Sequence, residues 1–245
     1  MRKSIFYILI ILLVMIRFTN AFSQNKKNLV KVNLTSLAFK TGSVQLERIL
    51  SKNISFGLSG SIMPNTQVPF AKQLNKIKNE DYEKSMELVN TSFYSVTPEI
   101  RFYMSKKGYG HGFYFAPFYR HGQYNIENTD AYYGLNDSKT INTIAKLKTN
   151  TGGFSLGAQW HLGNRLTLDW IILGPHFGNA KVNWEGIVDN SLTSTDQSEM
   201  REEFRDYEFI FSGPTSSEVS EKGFTNKYNE YWGGIRAGIS LGFRF

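Results

Sequence analysis

The chain contains no cysteine. That excludes a disulfide framework, thiolate metal ligands and a lipid anchor on a cysteine. Histidine is scarce, at four in 245 residues. There is no His-x-x-x-His pair or Asp/Glu cluster at ligand spacing, and His111 and His121 stand ten apart, so no metal is expected. Gly152-Gly153 and Gly233-Gly234 lack the Lys-Ser/Thr of a phosphate loop, and no cofactor is expected. No run of Lys or Arg is dense enough to argue for nucleic acid. No internal apolar run reaches the roughly 18 to 20 residues of a spanning helix, so a membrane is crossed only by a closed barrel of strands.

What the chain does have is aromatic residues at 15% and 21 glycines, a composition that favours β structure. Its first 23 residues read as an export signal. Arg2 and Lys3 lead a short apolar stretch, and Ala21-Phe22-Ser23 offers small residues at the two positions a signal peptidase reads. Cleavage is expected before Gln24, leaving residues 24–245 as one domain. Loss of Arg2, Lys3 and Arg17 leaves 25 basic and 21 acidic residues, a net charge of +4.

From Leu29 onward the dominant pattern has period two. Val30, Val32 and Leu34 alternate with Lys31, Asn33 and Thr35. In the stretch 43–50, Val44 and Leu46 alternate with Gln45 and Glu47, and Arg48 interrupts the apolar face near its end. Ile54, Phe56, Leu58 and Ile62 then alternate with Ser55, Gly57, Ser59 and Ser61. Residues 92–104 set Tyr94, Val96, Ile100, Phe102 and Met104 against Ser95, Thr97, Glu99, Arg101 and Tyr103, with an irregularity expected at Pro98. Residues 111–126 form a strand whose two faces are both aromatic. The next strand, ending at Gly163, opposes Phe154, Leu156, Trp160 and Leu162 to Ser155, Gln159 and His161. Residues 165–177 oppose Leu166, Leu168, Trp170 and Ile172 to Arg165, Thr167 and Asp169. At the C-terminus Ile235, Ala237, Ile239, Leu241, Phe243 and Phe245 share one face, with Gly234, Arg236 and Ser240 on the other.

That makes eight strands. Apolar-out, polar-in alternation over about 9 to 11 residues is what a tilted crossing of a bilayer requires. Connections at 51–53, 105–110 and 163–164 are tight, whereas 63–90, 127–142 and 178–226 read as long polar loops, with helices expected within 71–89 and 196–211; only the first connection, the short turn at 39–42, departs from the pattern. Alternation of short and long connections is the rule for outer-membrane barrels, whose periplasmic turns are short and extracellular loops long. The fold expected is therefore an all-β, eight-stranded antiparallel up-and-down transmembrane β-barrel.

Three features carry a family resemblance: Gly42-Ser43-Val44-Gln45-Leu46-Glu47-Arg48, Pro98-Glu99-Ile100-Arg101-Phe102-Tyr103, and the terminal Phe245 below an alternating strand. On them the chain resembles the small eight-stranded outer-membrane barrels of the OmpA and OmpX kind, in particular members of unknown function in Gram-negative bacteria. The resemblance implies a monomeric outer-membrane protein among lipid and lipopolysaccharide. It also implies that Phe243 and Phe245 serve as the signal read by the barrel-assembly machinery. No catalytic motif carries over.

The inward polar set is Glu47, Glu99, Arg101, Gln159, His161, Asp169 and Arg236, expected to pair and fill a narrow interior. The role expected is structural or adhesive, exerted on an extracellular or envelope protein through the long loops, without catalysis. Two alternatives stay open. One is a lipid A- or lipopolysaccharide-modifying enzyme, for which His161 or His176 with a nearby Ser or Thr and Glu185 or Asp189 supply the only candidate groups, His176 with Asn179 and Glu185 above all. The other is a soluble periplasmic lipocalin-like barrel with its apolar face inward.

Overall fold

A computed structural model describes residues 26–70, 89–133, 138–206 and 214–245. The expected signal segment, and the helix expected within 71–89 save its last residue, lie outside the described residues. The elements in chain order are β1 (Asn28–Asn33), α1 (Leu34–Ala38), β2 (Gly42–Ile49), β3 (Ile54–Gln67), β4 (Asn90–Tyr103), β5 (Gly112–Tyr133), β6 (Ser138–Leu162), β7 (Leu166–Val188), α2 (Ser194–Asp206), β8 (Ser216–Ser220) and β9 (Gly223–Arg244). Every strand pairs antiparallel with its neighbour in the order β1-β2-β3-β4-β5-β6-β7-β9, and β1 pairs back onto β9. Eight strands thus close an up-and-down ring, and β8 adds a ninth, short strand to the far end of β9. Among the described residues no helix is long and apolar enough to cross a membrane.

The closure is built by the two ends of the sheet. Asn28 and Phe245 exchange backbone hydrogen bonds of 3.1 and 2.9 Å, and Leu29 opposes Arg244. β1 then stops at Asn33, whose side chain caps α1 by accepting from Ser36 N–H. This helical turn replaces the continuation through Leu34 and Thr35 expected of the first strand. Thr35 Oγ1 accepts the N–H of Ile239 at 3.3 Å, just beyond the last β1–β9 pair.

Alternation places side chains as the sequence predicts in the lower half of the ring. On β4, Ser95, Thr97, Glu99, Arg101 and Tyr103 are buried, while Tyr94, Val96, Ile100 and Phe102 are exposed on the outside. The faces of residues 111–126 separate as well: Tyr114, Ala116 and Phe118 point inward, and Phe113 and Tyr119 outward. Pro98 interrupts the ladder to β5 between Val96 and Glu99, yet the register is unchanged, with Val96 opposite His121 and Glu99 opposite Phe118.

The expected long loops are also corrected. The described residues of 127–142 are strand, and 178–226 holds strand at 178–188, 216–220 and 223–226 around α2, because β5, β6, β7 and β9 continue past the apolar band as a tall sheet. There the polarity inverts. On β7, Asn179 and Lys181 are exposed while Ala180 is buried and Trp184 partly so; on β6, Asn142, Lys146 and Lys148 are exposed and Ile141 and Leu147 buried. A β-bulge lies at Ile172 and Leu173, where the registers to β6 and β9 both shift. Both side chains are exposed, and the extra residue moves the inward set from odd positions (Thr167, Asp169, Ile171) to even ones such as Gly174 and Ala180.

α2 packs on the inner face of this tall sheet. Met200 and Phe204 meet Ile141, Leu192 and Phe224, with Trp184, Val188 and Val219 at the margin. Thr193 and Asp196 open it with a reciprocal capping box, bonds of 3.2 and 2.9 Å from each backbone N–H to the other side chain. The described part of the helix begins two residues before the expected 196.

Candidate functional site

Glu47 of β2 opposes Gly57 of β3, and Gly57 opposes Glu99 of β4. Two carboxylates on neighbouring inward rows thus flank a residue with no side chain. A Cβ at Gly57 would lie 2.9 Å from Glu99 Cγ and 3.3 Å from Gln45 Nε2. Short residues on β3 leave the space that long ones from β1, β4 and β9 fill.

Arg101, two positions from Glu99 on the same face, is the hub. Its Nε donates to Glu99 Oε1 at 2.5 Å, Nη1 to Asp169 Oδ2 at 2.7 Å, and Nη2 to Gln45 Oε1 at 3.0 Å. Lys31 from β1 pairs with Glu47 and donates to Asp169 Oδ2 at 2.6 Å and Gln159 Oε1 at 2.5 Å. Arg236 from β9 reaches Glu99 Oε2 at 3.1 Å. Hydroxyls complete the set: Tyr103 and Ser55 donate to Glu47 Oε1 at 2.7 and 2.5 Å, and Tyr114 to Asp169 Oδ1 at 2.9 Å. The Arg101 and Arg236 guanidinium carbons sit 4.3 and 4.4 Å from the ring centres of Tyr114 and Phe118.

Three cations therefore meet three carboxylates in a neutral cluster, with side chains between 0 and 11% exposed. Desolvating these charges is costly, and the cluster persists because each charge finds an opposite one plus further hydrogen bonds. Each carboxylate is committed to a cation, so none is poised as a free general base. Among the described residues no group of His, Asp and Glu is arranged to hold a metal ion. What the arrangement does is fill the interior and tie β1, β2, β4, β6, β7 and β9 to one another. Lys31 and Gln45 also line a cavity of about 670 Å³ on its α1 side, bounded by Thr35, Ser36, Arg120 and Arg236.

Of the seven expected interior residues, Glu47, Glu99, Arg101, Gln159, Asp169 and Arg236 are brought together. His161 is not among them; near the end of β6 it contacts Thr167 Oγ1 at 3.2 Å and Tyr109 O at 3.0 Å. Lys31, Gln45, Tyr103, Tyr114 and Ser55 belong to the cluster without having been expected there. For Lys31 the signal was present, since it alternates with Val30 and Val32; for Tyr114 the all-aromatic strand hid it.

The catalytic candidates do not assemble. His176 lies on the inner face of β7, 6.0 Å from Phe118 ring to ring, whereas Asn179 and Glu185 occupy odd positions beyond the bulge, on the outer face, and Glu185 accepts from Asn183 Nδ2 at 2.5 Å. Asp189 is occupied at the far end of the hairpin by the N–H groups of Thr140 and Asn190. His161 with Thr167 has no carboxylate as third member: its other nitrogen faces the Tyr109 carbonyl. Phe243 and Phe245 are about 40% exposed on the outer face, rings stacked 6.5 Å apart.

No curated protein and no solved structure matches the chain. A family model described as a protein of unknown function, DUF3575, matches residues 7–185, which runs from the N-terminal segment into β7 and covers more than two thirds of the sequence. The chain belongs to the DUF3575 family.

Proposed function

We propose that this protein is an outer-membrane β-barrel, exported through a cleaved signal, that acts as a non-catalytic scaffold presenting its tall outer sheet and α2 to an envelope or extracellular partner. The observation that carries the reading is the inversion of polarity along single strands. Low on β6 the outward residues are Phe154, Leu156 and Leu162 and the buried inward ones Ser155 and Gln159; high on the same strand Lys146 and Lys148 face out and Leu147 in. An aqueous surroundings explains the upper half alone. The lower half exposes Leu58, Val96, Phe102, Phe113, Leu241 and many more on all sides of the ring, far beyond the few hundred Å² of contiguous apolar surface a soluble monomer shows.

A hydrocarbon solvent reconciles the two halves, and the ring leaves the lower strands no unpaired lipid-facing edge, as such a solvent demands. Anionic lipopolysaccharide and the barrel-assembly machinery, with Phe243 and Phe245 as signal, are the partners this placement entails. The neutral ion cluster speaks for a plugged scaffold and against a conducting pore. Fractionation of cell envelopes, with gel migration before and after boiling and protease shaving of whole cells, tests the reading. Outer-membrane location, a heat-dependent mobility shift and cleavage between β7 and β9 are expected; a soluble periplasmic protein with no shift would refute it.

A further inference from the structure

We propose that the turn end of the ring carries an anion site for a phosphate group. The turns at 50–53, 104–111 and 163–165, with the N-terminal 26–27, bring Lys26, Lys27, Lys52, Lys106, Lys107 and Arg165 to this end without one Asp or Glu. Between them lies a recess of about 270 Å³ whose lining includes Lys26, Lys27, Lys107, His111, His161 and Arg244 and no acidic side chain. The C-terminal carboxylate is at the same end, but Asn28 N–H donates to the Phe245 carbonyl oxygen at 3.1 Å, and no ion pair to it is present among the described residues.

Gathering like charges costs energy, and no acidic side chain lines the recess to offset it. Lys26 sits close enough to Arg165 and Arg244 that its pKa is lowered, first by burial and then by those two cations. His111 is lowered in the same way, by burial and by Lys107. Two nitrogens are also left over: His111 Nδ1 and Arg244 Nε are buried without a hydrogen-bond partner.

The walls are fixed rather than fluid. The turn 105–110 runs through three successive left-handed residues, Gly108, Tyr109 and Gly110, and is pinned by Tyr109 N–H to Lys52 O at 2.6 Å. His111 and His161 pack edge to face at 5.7 Å, and Lys26 and Arg244 both donate to Asn164 O, at 3.0 and 3.4 Å. A phosphate oxyanion entering the recess accepts charge-assisted hydrogen bonds from the lysine and arginine side chains that line it and neutralises them. The same chemistry is offered by a phospholipid headgroup and by free phosphate. The site stands on the recess itself and not on the membrane reading: a soluble protein that binds phosphate there would keep it, and an outer-membrane protein that does not would lose only it.

The test titrates the purified full chain, in a neutral maltoside detergent, with inorganic phosphate and separately with a short-chain phosphatidylglycerol below its micelle concentration. Nitrogen NMR of the His111 and His161 rings reads occupancy. A saturable shift with at least one probe is expected. The double variant K27Q/K107Q, both sites exposed on the surface, is expected to weaken binding about tenfold with the fold unchanged, and K27R/K107R to retain it. Response to both probes identifies free phosphate as a sufficient ligand; response to the lipid alone identifies the headgroup. No saturable shift with either probe, or K27Q/K107Q titrating as the unaltered chain does, overturns the site.

Discussion

Lys31 Nζ and Asp169 Oδ2 lie 2.6 Å apart although 138 positions separate them, so a cation on the first strand is neutralised by a carboxylate on the seventh. The pair reaches past one intervening strand on the inner face of the ring, since β1 and β7 are each hydrogen-bonded to β9 rather than to one another.

Removing one member of such a cluster strands its partners in a dry interior. Glu99→Ala leaves Arg101 with fewer anions and removes the carboxylate that Arg236 pairs with. A loss of about 3–5 kcal/mol is expected, read as lowered thermal unfolding in detergent. Unchanged unfolding would mean that water compensates the guanidinium groups.

Charge balance rather than any one bond sets the stability of the cluster. Lys31→Met alone is expected to cost a similar amount, about 3–5 kcal/mol. Adding Glu47→Gln should return part of it, because Lys31 and Glu47 are partners and the double variant is again neutral. A double-mutant cycle measures this, and strict additivity would contradict the coupling.

Gly57 is required for its emptiness. Gly57→Ala places a methyl 2.9 Å from Glu99 Cγ. Overpacking of this kind is expected to destabilise by about 1–3 kcal/mol, checked by chemical unfolding, whereas Gly60→Ala, with nothing within 4 Å of the new methyl, should be close to neutral.

The outer surface tests the solvent around the ring. Val96 is 44% exposed. In water Val96→Lys would be nearly silent; in a bilayer it is expected to cost up to about 2–4 kcal/mol and to reduce the folded fraction on insertion into vesicles. Deleting Phe245 should lower assembly in cells while leaving refolding in detergent largely intact.

The tall sheet has its own small core, so it should loosen by itself. Trp184 packs 4.9 Å from Phe224 and 5.7 Å from Phe204, ring to ring. Trp184→Ala is expected to free α2 for proteolysis within Ser194–Asp206 without moving the main unfolding transition. Coincident loss of both would join the two cores into one cooperative unit.

The sequence by itself determined the period-two strands, their facing in the apolar band except on β5, the eight strands of the ring and most of the interior polar set. A side-chain period of two is a local property, and an apolar outer face against Ser, Gly and charge makes it visible from Ser55 to Arg244. Above the band that contrast reverses and weakens, so Gly178, Lys181 and Asn183 read as loop although their backbone is paired. Tertiary structure alone decided the bulge at Ile172 and Leu173, the stop of β1 at α1, and which charges meet. Lys31, Arg101 and Asp169 converge only because closure of the ring fixes the relative stagger of strands distant in the chain. The same closure gathers Lys26, Lys107, His111 and Arg244 at one end, a charge cluster that no single stretch of residues displays.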